Sequence, residues 1–211
     1  MTSKTLPNTM ESELYMRGIT TVIGVDEAGR GAIAGPVVCA AVSFNKGTPL
    51  IEGITDSKKI TSESTRFALY EKIIKTPGVS WYASVIPHDK IDEINILQAT
   101  MLGMRTSINT VTSDRENCYA LIDGNRLPPD CDCDATTVVK GDGKEYIIGC
   151  ASIIAKVTRD TIMRHYDCEF PLYDFSSNKG YPTKLHKQII NDNGITVIHR
   201  KTFKIKNPTN K

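Results

Sequence analysis

The chain has 211 residues, 40% of them hydrophobic, and a formal net charge of +2. That length carries one domain with a substantial core. No apolar run approaches the ~18 residues of a membrane helix, and the N-terminus lacks a secretory pattern, so the expectation is a soluble cytoplasmic protein.

 The six cysteines form no CxxC pair, which argues against a structural zinc site and for reduced, mostly structural thiols.

In chain order, Ser12 to Gly18 has the composition of one or two helical turns after a polar tail. Thr21 to Val25 is a short apolar strand that runs into an acidic pair, Asp26 and Glu27. A turn of Gly and Ala, Ala28 to Gly35, leads to a second strand, Pro36 to Phe44, and the two read as a hairpin. The spacing of Phe67, Leu69, Tyr70, Ile73 and Ile74 predicts a helix over Thr61 to Lys75, and Val79 to Ile86 predicts a third strand. Ile91, Ile94, Leu97, Met101 and Leu102 trace an amphipathic helix. Cys118 to Asp123 and Thr136 to Lys140 are two more short strands. A long helix follows from about Tyr146 to Tyr166, with a small-residue face at Gly149, Ala151, Ser152 and Ala155. One further helix is expected around Thr183 to Asn191. The order predicts a single α/β domain with a mixed sheet and a helical C-terminal portion.

From residue 178 onward eight Lys or Arg face a single acid, Asp192, on an otherwise slightly acidic chain. Such an end suits a polyanionic partner, and equally a solvated tail. The acids at strand ends carry more information. Asp26 and Glu27 end the first strand, Asp123 ends the fourth, and Asp142 follows the fifth within Gly141-Asp142-Gly143. Any one of them reads as a turn or helix cap. Four together would repel one another, and hard divalent cations with oxygen ligands relieve that repulsion. GVDEAGRG, residues 24–31, also has the outline of a phosphate loop, but Arg30-Gly31 stands where such a loop needs Lys and Ser or Thr. Tyr181, among lysines, suits stacking on a base or sugar, or plain surface packing.

Taken as a set, the chain resembles the ribonuclease HII family. The segments are GVDEAGRGAIAGPVV, TDSKKIT, IDEINILQATMLGM, LIDGNRLP, VVKGDGKEYIIGCASIIAKVTRD, NKGYPTKLH and HRKTF, in family order from about Met16 to Phe203. The resemblance implies a ribonuclease H-like fold with a mixed five-stranded sheet flanked by helices, plus a C-terminal helical segment. It divides the chain into a tail (1–18), a catalytic domain (19–170) and a basic substrate-binding segment (171–211). It implies Mg²⁺ or Mn²⁺ held by Asp26, Glu27, Asp123 and Asp142, which are also the catalytic residues. It implies that Gly29, Arg30 and Gly31, with Tyr181, recognise the 2′-hydroxyl at an RNA–DNA junction.

The implied reaction is two-metal hydrolysis of RNA in RNA–DNA hybrids, or 5′ of a lone ribonucleotide in duplex DNA, as in ribonucleotide removal. The ends would be a 3′-hydroxyl and a 5′-phosphate. The implied protein is a stand-alone monomer whose C-terminal lysines bind phosphates. KIKNPTNK, residues 204–211, shows no Gln-containing sliding-clamp peptide. Asn178 stands where many relatives have His, and Cys150 where they have Ala. The rival readings are another two-metal nuclease acting on DNA or junctions, and a non-catalytic hybrid-binding module.

Overall fold

The computed structural model describes residues 5–56, 59–112 and 114–204. Ser57 and Lys58 of the TDSKKIT segment, and residues 205–211 where a clamp peptide was sought, lie outside that range.

A helix, α1 (Thr9–Met16), precedes the sheet, starting three residues before its predicted position. The sheet is built from β1 (Thr21–Ala28), β2 (Val37–Asn45), β3 (Val79–Ile86), β4 (Cys118–Asp123) and β5 (Asp134–Val138), in the order β3-β2-β1-β4-β5. β1 pairs antiparallel with β2, and β2 with β3, whereas β1, β4 and β5 run parallel. The sheet is therefore mixed and five-stranded, as expected, with β1 at its centre.

Two of the boundaries that move bear on the site. β1 continues to Ala28, so Asp26 and Glu27 lie inside the strand and not after it. Pairing with β2 extends as far as Ala28↔Val38, which holds the acids in the ladder. β5 ends at Val138, so Val139 and Lys140 belong to the turn that carries Asp142.

The helices are α2 (Glu63–Lys75), α3 (His88–Val111), α4 (Tyr146–Glu169), the one-turn α5 (Phe175–Asn178) and α6 (Lys184–Asn193). Ser62 caps α2 by accepting from the Thr65 amide. α3 is interrupted at Asn95, whose φ is 67°. Asn tolerates that left-handed backbone, and its Oδ1 accepts from the Leu97 and Gln98 amides, so it caps the second part of the helix. Periodicity alone reads straight through such a break.

Both faces of β1 are covered. Val22 and Ala28 join Ile147, Ala151 and Ile154 of α4 in one core, and Ile23 and Val25 join Ile91, Met104 and Ile108 of α3 in another. Gly24 makes the α4 packing possible, because a Cβ there would lie 2.2 Å from the Ile147 carbonyl oxygen. A third core gathers Tyr173, Phe175, Ile190 and Ile198 around Ile33, Ala34 and Met163. The C-terminal segment thus packs back on the turn between β1 and β2, and shares a core with the residues before 171.

Candidate active site

Successive residues of a strand point to opposite faces. Asp26 therefore faces α4, with Val22 and Ala28, and Glu27 faces the other side. Asp26 is 6% exposed, hydrogen-bonds Ser152 of α4, and its Oδ1 accepts the Glu27 amide at 2.7 Å. Glu27 lies 3.6 Å from the Arg30 guanidinium, Oε1 to Nη1. Asp123 closes β4 one step beyond the Val25↔Ile122 pair, beside Asp26. Its Oδ1 accepts the Gly141 amide at 2.6 Å. That bond ties β4 to the short 3-10 turn Gly141–Gly143, which Lys140 enters with φ 58° and which carries the buried Asp142.

All four predicted carboxylates line one cleft of about 430 Å³, together with Ser152, Lys156, Arg66 and Tyr181. Burial, and then the charges of Glu27 and Asp123, push the Asp26 carboxyl well above its usual range, against the Ser152 hydrogen bond. Glu27 is also raised, first by burial, with Arg30 opposing and Asp123 and Asp142 adding to the rise. Clustered acids of this kind favour either protons or cations. The donor set is all oxygen, which fits Mg²⁺ or Mn²⁺. Among the described residues, no three His, Cys, Asp or Glu side chains already form a closed ligand set.

Of the predicted recognition residues, Tyr181 lines the cleft and Gly29 is buried. Arg30 and Gly31 are exposed, and a Cβ on Gly31 would be 4.0 Å from Cε1 of Tyr181. Tyr181 packs under the Arg159 guanidinium, 5.3 Å from its ring centre. Its carbonyl meets Nδ1 of His186 at 2.9 Å, and Nε2 of His186 meets Nε2 of His199 at 3.1 Å. Nδ1 of His199 in turn accepts the Thr196 amide at 2.9 Å. Asn178 is built into this loop, donating to the Tyr173 carbonyl and accepting the Gly180 amide, both at 2.7 Å.

Sequence reasoning missed Ser152, Lys156 and Arg66. Ser152 and Lys156 are one helical turn apart on α4, a spacing that places both on one face. Lys156 also pairs with Asp160 at 2.7 Å. The small-residue face hid this polar stripe.

The sequence profile of the Ribonuclease HII family matches residues 23–206. The chain belongs to the ribonuclease HII family. The ribonuclease HII of Clostridioides difficile (strain 630) is 46% identical over 196 residues, covering 93% of this chain and 74% of that protein. The fold is also that of the RNase HII in the PCNA:RNase HII complex from Archaeoglobus fulgidus, with a TM-score of 0.71 and 24% identity. That match covers 88% of this chain and 96% of the other. Bst-RNase HIII in complex with Mn²⁺ is similar at a TM-score of 0.61 and 16% identity, over 86% of this chain and 65% of the other. As a ribonuclease HII, the protein is an endonuclease that hydrolyses phosphodiesters, on a ribonuclease H fold. No helix among the described residues is long and apolar enough to cross a membrane.

Proposed function

We propose that the protein cuts the RNA strand of RNA–DNA hybrids and the 5′ side of single ribonucleotides in duplex DNA, leaving 3′-hydroxyl and 5′-phosphate ends. The observation that carries this reading is one cleft that is lined by Asp26, Glu27, Asp123 and Asp142 and reaches Tyr181. Those four carboxylates would hold the divalent ions. Two bound ions supply an activated water and charge stabilisation for the leaving 3′ oxygen.

The chain's own groups do the rest. Ser152 and the Glu27 amide fix the direction of the Asp26 carboxyl, and the Gly141 amide fixes Asp123. Lys156 and Arg66 bring positive charge to the wall of the cleft, where a backbone phosphate would enter. Arg30, half exposed, offers a planar fork to a neighbouring phosphate. Gly31 and Tyr181 face each other closely enough that a Cβ on Gly31 would touch the ring, and the 2′-hydroxyl is the group by which a site there would separate RNA from DNA.

The test is cleavage of a duplex with one embedded ribonucleotide against the same duplex in all-DNA form, with Mg²⁺ or Mn²⁺. Cleavage is expected only at the ribonucleotide, and is expected to be lost in Asp26→Asn. Equal cutting of the all-DNA duplex would favour the general nuclease, and an active Asp26→Asn would remove the carboxylates from the chemistry.

A further inference from the structure

Two arginines that the reaction does not use are buried beneath the Gly29–Gly31 turn. Arg159 is 0% and Arg200 1% exposed. Burying a guanidinium is costly unless its donors are met, and such groups ordinarily pair with carboxylates. Here the donors go to main-chain carbonyls instead. Arg200 donates to the carbonyls of Gly29 (2.8 Å), Arg30 (3.2 Å), Ala32 (2.7 Å) and Gly35 (3.0 Å). Arg159 donates to those of Ala34 (3.2 Å), Pro36 (2.9 Å) and Lys179 (2.8 Å). The Ile33 carbonyl accepts the Arg200 amide at 2.9 Å. Across residues 29–36, every carbonyl except that of Gly31 is thereby drawn toward the two arginines.

The amides of the same stretch divide differently. Those of Ile33 and Ala34 go to the Gly180 carbonyl, that of Gly35 to Ile198, and that of Ala32 to Gly29. Among the described residues, the amides of Arg30 and Gly31 have no protein acceptor, and both residues are exposed opposite Tyr181. Gly29 is pressed against the frame, since a Cβ there would lie 1.9 Å from Nε of Arg159, with φ at +92°. Arg159 also lies over the Tyr181 ring and bonds the Lys179 carbonyl, so one side chain joins the turn to the tyrosine loop.

We propose that Arg159 and Arg200 are positioning residues: by holding the turn's carbonyls inward they aim the Arg30 and Gly31 amides at an acceptor oxygen of the substrate sugar. The inference rests on the reading that this turn faces the ribonucleotide. A flipped peptide would present a carbonyl in place of an N–H, so the frame decides which polarity the substrate meets. Lysine keeps the charge but cannot bridge several carbonyls at once.

The test measures binding of the full chain, in metal-free buffer, to a duplex with one ribonucleotide and to the all-DNA duplex. Wild type is expected to favour the ribonucleotide. In Arg159→Lys and Arg200→Lys that preference should shrink by about five- to tenfold, the worth of one well-aimed hydrogen bond, with all-DNA affinity held within about twofold. Circular dichroism and thermal melts check that the variants fold. If they do not, Phe203→Leu serves, because that ring lies 5.1 Å from the Arg200 guanidinium and its loss loosens the frame while keeping the cation. Its preference should fall by a smaller factor. An unchanged preference in folded variants, or an equal loss on both duplexes, overturns the positioning role alone. A wild type without any preference overturns the reading of the turn as well.

Discussion

If ionised, the Asp26 carboxyl is a charge buried against Glu27 and Asp123, with the Ser152 hydroxyl and one amide to offset the repulsion. Such a group is poorly placed for stability and well placed to bind a cation. Replacing it by Asn keeps the shape and removes the charge. Asp26→Asn should therefore leave the metal-free protein at least as stable as wild type, while cleavage falls by about 10²-fold or more. Urea unfolding in a chelator and single-turnover cleavage would measure the two. A stability loss of more than about 1 kcal/mol would mark Asp26 as a structural cap instead. At this scale the clustering of the four acids in one cleft was legible in the sequence, because they fall at successive strand ends. Arg159 and Arg200 were not. A cation in a sequence reads as surface, and nothing local says that its donors will meet backbone carbonyls deep in the fold.

Elements α1 and α4 cap one another. Glu11 of α1 accepts the Ile147 amide in the first turn of α4 at 2.8 Å, and Glu145, just before α4, accepts the Met10 amide of α1 at 3.2 Å. Each acid satisfies an amide that its partner helix leaves open. The cost is two carboxyls in a buried place. Burial, and then Glu145 against the two backbone hydrogen bonds, raises Glu11 from 4.5 to about 8. Tyr15 and Tyr146 also face it. Between those values the folded protein keeps a proton that the unfolded chain has lost, so stability declines as pH rises through that window. One group gives at most about 1.4 kcal/mol per pH unit. Glu11→Gln keeps the acceptor and should flatten that part of the stability–pH curve, read from unfolding midpoints between pH 5 and 8. A curve unchanged by the substitution would remove Glu11 as its source. Element types were legible where a run was uniform, as in Val79–Ile86, Cys118–Asp123 and the start of α4 at Tyr146. They blurred where one residue served two purposes. Asp26 looks like a strand terminus while being held in the ladder, and Asn95 breaks a helix whose apolar spacing continues past it.

Across the whole molecule, the chain's end folds back on the turn that follows its first strand, through the third core and the Ala34↔His199 bridge. The two imidazoles in that core form a line with a direction. His199 accepts from Thr196 at Nδ1, so its hydrogen sits on Nε2 and points to His186. His186 then carries its own hydrogen on Nδ1 and gives it to the Tyr181 carbonyl. Burial, and then His186, lowers His199 from 6.5 to about 4, and burial lowers His186 too, with Asp174 acting to raise it and His88 adding to the fall in His199. The unfolded chain thus takes up protons first, and this support is complete above about pH 6.5 and lost as pH falls toward 4. Hydrogen exchange of residues 181–199 should lose protection, relative to α4, between pH 6.5 and 5. Constant relative protection would refute the coupling. Hydrogens passed in one direction along four groups make a line that an added proton can only break, because an amide at one end can only donate and a carbonyl at the other can only accept. Acid would then unseat the loop that carries Tyr181 while the sheet beneath it stays whole.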